Sequence, residues 1–213
     1  MLTIHHLGKS QSERIIWLCE ELGLPYQLQH YQRDTVTMLA PPELARLHPL
    51  GAAPVITEGE LVLAESGAIM QYLLARHDNQ GLALAPTDPA FADYLYWLNF
   101  ANGNLQPNMG RSMLLRKLDL ATDNPVLAAQ NGRLGRVLDL VEIRLGSNDY
   151  LAGSAFSAAD IMLVFSLTTM RIFLPYTLSP YPRILAYLQR IGARAAYQRA
   201  MHRGDPGMVP MLT

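Results

Sequence analysis

Residues 50–72, LGAAPVITEGELVLAESGAIMQY, constrain the fold of this chain more than any other stretch. Residues 55–57 and 61–63 are apolar, strand-forming runs joined by Glu58-Gly59-Glu60, which predicts a β-hairpin. Pro54 stands at a strand entrance, where its missing N–H costs the ladder nothing. Glu65-Ser66-Gly67 then opens a helix whose expected apolar face is Ala68, Ile69, Tyr72 and Leu73. A helix N-terminus leaves unpaired N–H groups and a partial positive charge, both of which attract a carboxylate. Two uses of the opening residues follow. Ser66 is an ordinary N-cap with Glu65 as an acid of the first turn. Alternatively, the Ser66 hydroxyl and the Glu65 carboxylate hold the two ends of one α-amino-acid group.

The residues before this stretch supply a strand–helix–strand unit. Residues 2–6 favour a strand and end at Gly8. Ser10-Gln11-Ser12-Glu13 leads into an amphipathic helix carrying Ile15, Ile16, Leu18, Cys19 and Leu22, closed by Gly23 and Pro25. Residues 26–31 predict a second strand, parallel to the first because a helical crossover joins them. Pro41-Pro42 opens a short helix over 43–47. The order over residues 1–78 is βαβαββα, which matches a thioredoxin-like unit.

Residues 78–89 are rich in Asn, Asp, Gly and Pro and serve as a linker. Everything from 88 to 213 has helical spacing, so the expected architecture is an α/β thioredoxin-like domain followed by an all-helical domain. Pro107, within a helical segment over 90–117, must bend or break it. Residues 126–145 predict a long helix that stops at Gly146. Phe156-Ser157-Ala158-Ala159-Asp160-Ile161 carries a capping box, with Ser157 as N-cap and Asp160 three residues on. Further helices are expected over 183–191 and 193–201.

Composition narrows the function. Half of the residues are hydrophobic, 16% are charged and the net charge is −1, a balance that favours neither nucleic acid nor an anionic membrane as partner. The single cysteine, Cys19, rules out a disulfide framework or a Cys-rich metal site, and its place on an apolar helix face predicts a buried structural thiol. His5-His6 point to opposite strand faces, and no metal site is expected. The opening residues lack a basic stretch followed by an apolar run, so no secretory signal is expected. No apolar run reaches membrane-spanning length. A cytoplasmic protein is the expectation.

Ala52-Ala53-Pro54-Val55 followed by Glu65-Ser66-Gly67-Ala68-Ile69 resembles the glutathione-binding signature of glutathione transferases, and the capping box at Ser157 resembles the start of a buried helix in their second domain. The Ser-Gln-x-x-Arg run beginning at Ser10 is similar to that of serine-type members among bacteria and fungi. The resemblance implies a cis Ala53-Pro54 bond and backbone pairing of Ala53 with the cysteinyl part of glutathione. It implies that Glu65 and Ser66 hold the γ-glutamyl end. It also makes Ser10 the hydroxyl that favours the glutathione thiolate, with Ser12 the other candidate and the expected N-cap. Many relatives carry a basic residue where this chain has Ala52, so Arg33, Lys9 or Arg46, or more weakly His48, must meet the glycyl carboxylate.

A free thiol near pKa ~8.5 is only a few per cent thiolate at neutral pH. Lowering that pKa by about two units takes ~2.7 kcal/mol. One hydroxyl donor to an anion, at ~1.5–3 kcal/mol, with a helix N-terminus behind it, suffices without a metal. Tyr96, Phe100, Asn104, Met109 and Arg111 follow helical spacing and form the expected second-substrate pocket, apolar with one cation at its rim, suited to a hydrophobic electrophile. The implied activity is conjugation of glutathione to such electrophiles by a homodimer. A glutathione-dependent peroxidase or disulfide reductase, and a non-catalytic binding module of the same fold, are the alternatives.

Overall fold

The computed structural model describes residues 1–213. Two compact units are present, one formed by residues 1–83 with 192–210 and the other by residues 84–191 with 211–213. Residues 192–210, assigned by sequence to the helical domain, fold into the first unit.

In the first unit the strands β1 (Leu2–Leu7), β2 (Gln27–Tyr31), β3 (Val55–Glu58) and β4 (Leu61–Ala64) form one mixed sheet in the order β2-β1-β3-β4. β1 pairs parallel with β2 and antiparallel with β3, and β3 with β4 closes the hairpin at a positive-φ Gly59. This is the expected thioredoxin-like arrangement. Helices α1 (Glu13–Leu22), α2 (Pro42–Leu47) and α3 (Ser66–His77) connect it. Gly23, at φ 65, ends α1 in the left-handed conformation that a residue without Cβ adopts at least cost. The buried face of α3 is Ile69, Met70, Leu73 and Leu74; Ala68 is exposed, so the apolar stripe is rotated from the one the sequence suggests. After α3, the Asp78 carboxylate accepts hydrogen bonds from the amides of Gln80, Leu82 and Ala83, which orders the first turn of the linker.

The last helix of the chain, α9 (Ala195–Gly204), packs on α1. Trp17 meets Tyr197 edge-on at 4.9 Å, and Arg194 grips Glu21 through two bonds of 2.7 and 2.8 Å. Glu20 accepts from Arg199, Arg203 and Tyr26 at 2.8 to 2.9 Å. Burial alone would raise the Glu20 carboxyl, but those three hydrogen bonds hold it below its ordinary value.

The second unit is helical: α4 (Phe91–Phe100), α5 (Gln106–Arg116), α6 (Pro125–Arg144), α7 (Ala158–Leu167) and α8 (Pro182–Gly192). No helix is long and apolar enough to cross a membrane. The α-helical hydrogen bonding of the 90–117 segment is interrupted just ahead of Pro107: Ala101–Leu105 is π-helical, and the Gln106 N–H reaches back to the Ala101 carbonyl. A five-residue hydrogen-bond step there shifts the register, so the proline ring enters at the start of α5 rather than inside a regular helix. Asp160, fully buried, accepts from the Ser157 and Leu151 amides and from the Ser157 and Tyr187 hydroxyls. Burial pushes its carboxyl up to about 6, and those four donors work against that push.

Two consequences are measurable. Asp160→Ala strands four buried donors and is expected to cost about 3 kcal/mol in chemical denaturation. Because the Glu20 carboxyl is depressed in the folded protein, its contribution is present above the ordinary carboxylate pKa and is lost as pH falls through the folded value. Thermal melts from about pH 6 to about pH 3 should show an acid decline that Glu20→Gln makes shallower.

Candidate active site

The turn between β1 and α1 and the start of α3 present polar groups to one cleft. A cavity of about 90 Å³ is lined by Gln11, Ala52, Ala53, Pro54, Glu65 and Ser66, and the Ala53-Pro54 bond is cis, as the resemblance implied. Four of the residues proposed from sequence, Ala53, Pro54, Glu65 and Ser66, therefore meet here.

Ser66 is not the N-cap of α3. Glu65 occupies that position at φ 71, ψ 114, and Ser66 is the first helical residue. A non-glycine residue at such a φ is uncommon and costs of order 1–3 kcal/mol, a strain that clusters at ligand-binding positions. Here it leaves the Glu65 side chain exposed at the cleft while Ser66 is buried. The Ser66 hydroxyl donates to Gln11 Oε1 at 3.3 Å and accepts from Arg14 Nη1 at 3.2 Å, and the same Nη1 donates to Gln11 Oε1 at 2.6 Å.

Sequence reasoning passed over Gln11 and Arg14 as site residues. The signal was present, since they stand three apart in the Ser-Gln-x-x-Arg run, Gln11 in the turn ahead of α1 and Arg14 in its first turn. Burial lowers the Arg14 guanidinium to about 9, opposed by Glu13, so the group stays charged at neutral pH. A cation behind Ser66 and the N-terminus of α3 give this end of the cleft a positive field, which suits a carboxylate.

Ser10 is nearly buried, and its Oγ lies 2.7 Å from Ser12 Oγ and 3.3 Å from the Ser12 amide, which donates to it. Ser12 occupies the N-cap position of α1, yet its hydroxyl makes no capping bond. It lies instead 2.7 Å from His6 Nδ1. Cys19 is wholly buried in α1 and its thiol is pushed up to about 12, by burial first and by Glu20 second, which makes it inert as a nucleophile. His5 bonds to Tyr31 Oη and Thr57 Oγ1, and no group of three His, Cys, Asp or Glu side chains is placed to share a metal ion.

The cations proposed for the glycyl carboxylate fare unequally. Arg33 donates to the Gly8, Lys9 and Met38 carbonyls at 2.9 to 3.3 Å, which braces the β1–α1 turn and does not line the cleft. Arg46 pairs with Glu43 at 2.8 Å, and His48 Nδ1 accepts from the Leu50 amide. Lys9 is exposed beside Ser10. In the second unit Phe100 and Met109 are buried, whereas Tyr96, Asn104 and Arg111 are exposed. A π-helical turn lies between Phe100 and Met109 and interrupts the 3.6-residue period that relates them in sequence. Arg111 instead borders a cavity of about 540 Å³ with Leu114, Leu115, Val126, Gln130 and Arg133.

With fold and cleft in hand, comparison with known proteins identifies the class. The sequence profile of the glutathione S-transferase N-terminal domain matches residues 3–75, and that of the C-terminal domain matches residues 88–195. The chain belongs to the glutathione S-transferase family. It is 30% identical to glutathione S-transferase 3 of Schizosaccharomyces pombe, over 100% of this chain and 92% of that one. It is 31% identical to glutathione S-transferase 1 of Saccharomyces cerevisiae, over 92% of each. A crystal structure of a glutathione S-transferase from Actinobacillus pleuropneumoniae superposes with a TM-score of 0.88 at 35% identity, covering 96% of this chain and 93% of that one.

Ala52 is exposed at the cleft, where a lysine side chain has room to reach solvent. Ala52→Lys is expected to lower the glutathione KM by about two- to fivefold at low ionic strength, the range of one exposed ion pair. Raising the salt concentration in the same assay should erase the gain.

Proposed function

We propose that this glutathione transferase activates the glutathione thiol at Ser10 and conjugates it to hydrophobic electrophiles. The observation that carries the reading is the placement of Ser10. Its hydroxyl is held by Ser12 at the head of α1, in the same turn whose next residue, Gln11, lines the cleft with Ala53, Pro54, Glu65 and Ser66. In this reading the γ-glutamyl carboxylate lies on Ser66 and the α3 N-terminus over the Arg14 charge, and its ammonium pairs with Glu65. The backbone of Ala53 meets the cysteinyl part. The sulfur then falls to Ser10, which donates its hydrogen to the thiolate. Catalysis needs a thiolate held near its target, so thiolate stabilisation and proximity carry the rate.

Arg33 drops out of the glutathione set because its guanidinium braces the turn. Lys9, on the exposed side of that turn, takes its place for the glycyl carboxylate. For the electrophile, the second unit offers Tyr96, Asn104 and Arg111 as exposed groups, with Phe100 and Met109 as core beneath the helix surface. Exposed Leu114, Val126, Leu140 and Ile143 in the same unit support a homodimer. The absence of a second cysteine means that a peroxidase or disulfide reductase reaction on this chain would run on glutathione thiols alone.

Ser10→Ala is expected to lower kcat with a chlorodinitrobenzene electrophile by about a hundredfold, the size of one lost donor to a developing anion, with little change in glutathione KM. Equal turnover in variant and wild type would remove Ser10 from the mechanism. Glutathione binding without turnover in the wild type would leave a non-catalytic binding module.

A further inference from the structure

The hydrogen-bonded chain under Ser10 continues into the core. Ser10 Oγ is 2.7 Å from Ser12 Oγ, and Ser12 Oγ is 2.7 Å from His6 Nδ1. On the far side of the imidazole, His6 Nε2 lies 3.4 Å from Asp205 Oδ2, within ion-pair distance but without hydrogen-bond geometry. Ser12 and His6 have no exposed surface. Gly204 admits the ring, since a Cβ there would stand 3.4 Å from His6 Cε1 and 3.1 Å from Ile16 Cδ1. Both Asp205 oxygens accept from the Lys9 amide, at 3.1 and 3.0 Å. Burial alone would raise the Asp205 carboxyl, but His6, the Lys9 amide and the Lys9 charge hold it below its ordinary value. It is a carboxylate at neutral pH.

A hydroxyl has one hydrogen to give and two lone pairs to receive with. The Leu7 carbonyl also accepts from Ser12 Oγ, at 3.5 Å, the longest of its contacts; along the two 2.7 Å contacts the chain runs in one of two directions. With Nδ1 bare, Ser12 donates to His6, Ser10 donates to Ser12, and Ser10 turns a lone pair toward the cleft. With Nδ1 protonated, each bond reverses, and the Ser10 hydrogen points outward. The first arrangement receives a thiol hydrogen. The second donates to a thiolate. With Nε2 carrying its hydrogen toward the Asp205 carboxylate in both, they differ by one proton, and that proton sits on His6.

Resting on the assignment of the sulfur to Ser10, we propose that His6 is the acceptor of the glutathione thiol proton, reached through Ser10 and Ser12, and that Asp205 holds the resulting imidazolium. The S–H bond breaks and its electron pair stays on sulfur. The proton bonds to Ser10 Oγ as the Ser10 hydrogen passes to Ser12 Oγ and the Ser12 hydrogen passes to His6 Nδ1. Both serines end neutral, sulfur gains one negative charge and the imidazole one positive charge. The same transfer that frees the thiolate turns Ser10 into its donor. Once the thiolate has attacked and product leaves, the imidazolium returns its proton by the same route, through Ser12 and Ser10 to water in the cleft.

Ser12, His6 and Asp205 act through Ser10 and are positioning residues. The other titratable group against His6 is His30 of β2, edge-on at 5.4 Å between ring centroids. Burial first and then His6 hold His30 below its ordinary value, with Asp205 opposing, so His30 is neutral at neutral pH and does not take the proton.

The test compares thiolate formed with protons released when the full-length protein binds glutathione in weakly buffered solution, read by ultraviolet thiolate absorbance and an indicator dye. Wild type should release fewer protons than it forms thiolates near neutral pH. In His6→Asn the amide reaches the Nδ1 position and bonds to Ser12 but cannot accept a proton. That variant should release one proton per thiolate, with kcat/KM for chlorodinitrobenzene down about a hundredfold near neutral pH, a pH profile displaced upward and glutathione KM little changed. Asp205→Asn should shift the ratio in the same direction, and it stands as the readout if His6→Asn does not fold. One proton per thiolate in wild type, or a wild-type ratio and pH profile in the variants, overturns the proposal. Undiminished thiolate in Ser10→Ala is a different failure, of the Ser10 assignment itself, and a protein that binds no glutathione overturns both.

Discussion

The structure depends on how completely α1 is buried. Residues from Glu13 to Cys19 are each buried, and Leu22 closes the last turn. Polar side chains at the first turn of a helix so buried must find partners inside the protein. Arg14 finds Gln11 and Ser66; Ser12 finds His6 and Ser10. Those two obligations run in opposite directions from the same turn. One reaches to the start of α3 and shapes the carboxylate end of the cleft. The other reaches back into β1 and fixes the Ser10 hydroxyl.

The burial of α1 also explains the role of the last helix. The four-stranded sheet with α1 and α3 leaves the outer face of α1 uncovered, and α9 covers it with Tyr197 on Trp17 and arginines on Glu20 and Glu21. The segment just past α9 then delivers Asp205 to the Lys9 amide and the His6 ring. A chain terminus far away in sequence thus completes the surroundings of the proposed catalytic turn. The belonging of residues 192–210 to the first unit is part of how that unit's core and site are closed.

Strain and charge are concentrated at the cleft. Glu65 keeps a positive φ that a glycine would hold at lower cost, and Arg14 keeps a buried charge whose guanidinium burial lowers to about 9. Neither is what stability alone selects. Both are intelligible if the cleft takes a zwitterionic amino-acid group, with the exposed carboxylate of Glu65 for one charge and the Ser66 end for the other.

The sequence by itself determined the βαβαββα order, the hairpin, the capping box at Ser157 and the family, because these rest on local spacing, turn chemistry and short motifs. It also brought out Ser10, Glu65 and Ser66. What it could not decide were matters of three-dimensional partnership. The spacing of Phe100 and Met109 suggested one continuous helix face, but a π-helical turn lies between them and interrupts that period, and both side chains are buried. Arg33 looked available as a cation until the fold spent it on three carbonyls. Ser12 looked like a cap, and only the approach of β1 to the head of α1 gave its hydroxyl to His6 instead. Asp205 carried no signal at all, since nothing local links it to residue 6; packing of the last helix on the first is what brings them together.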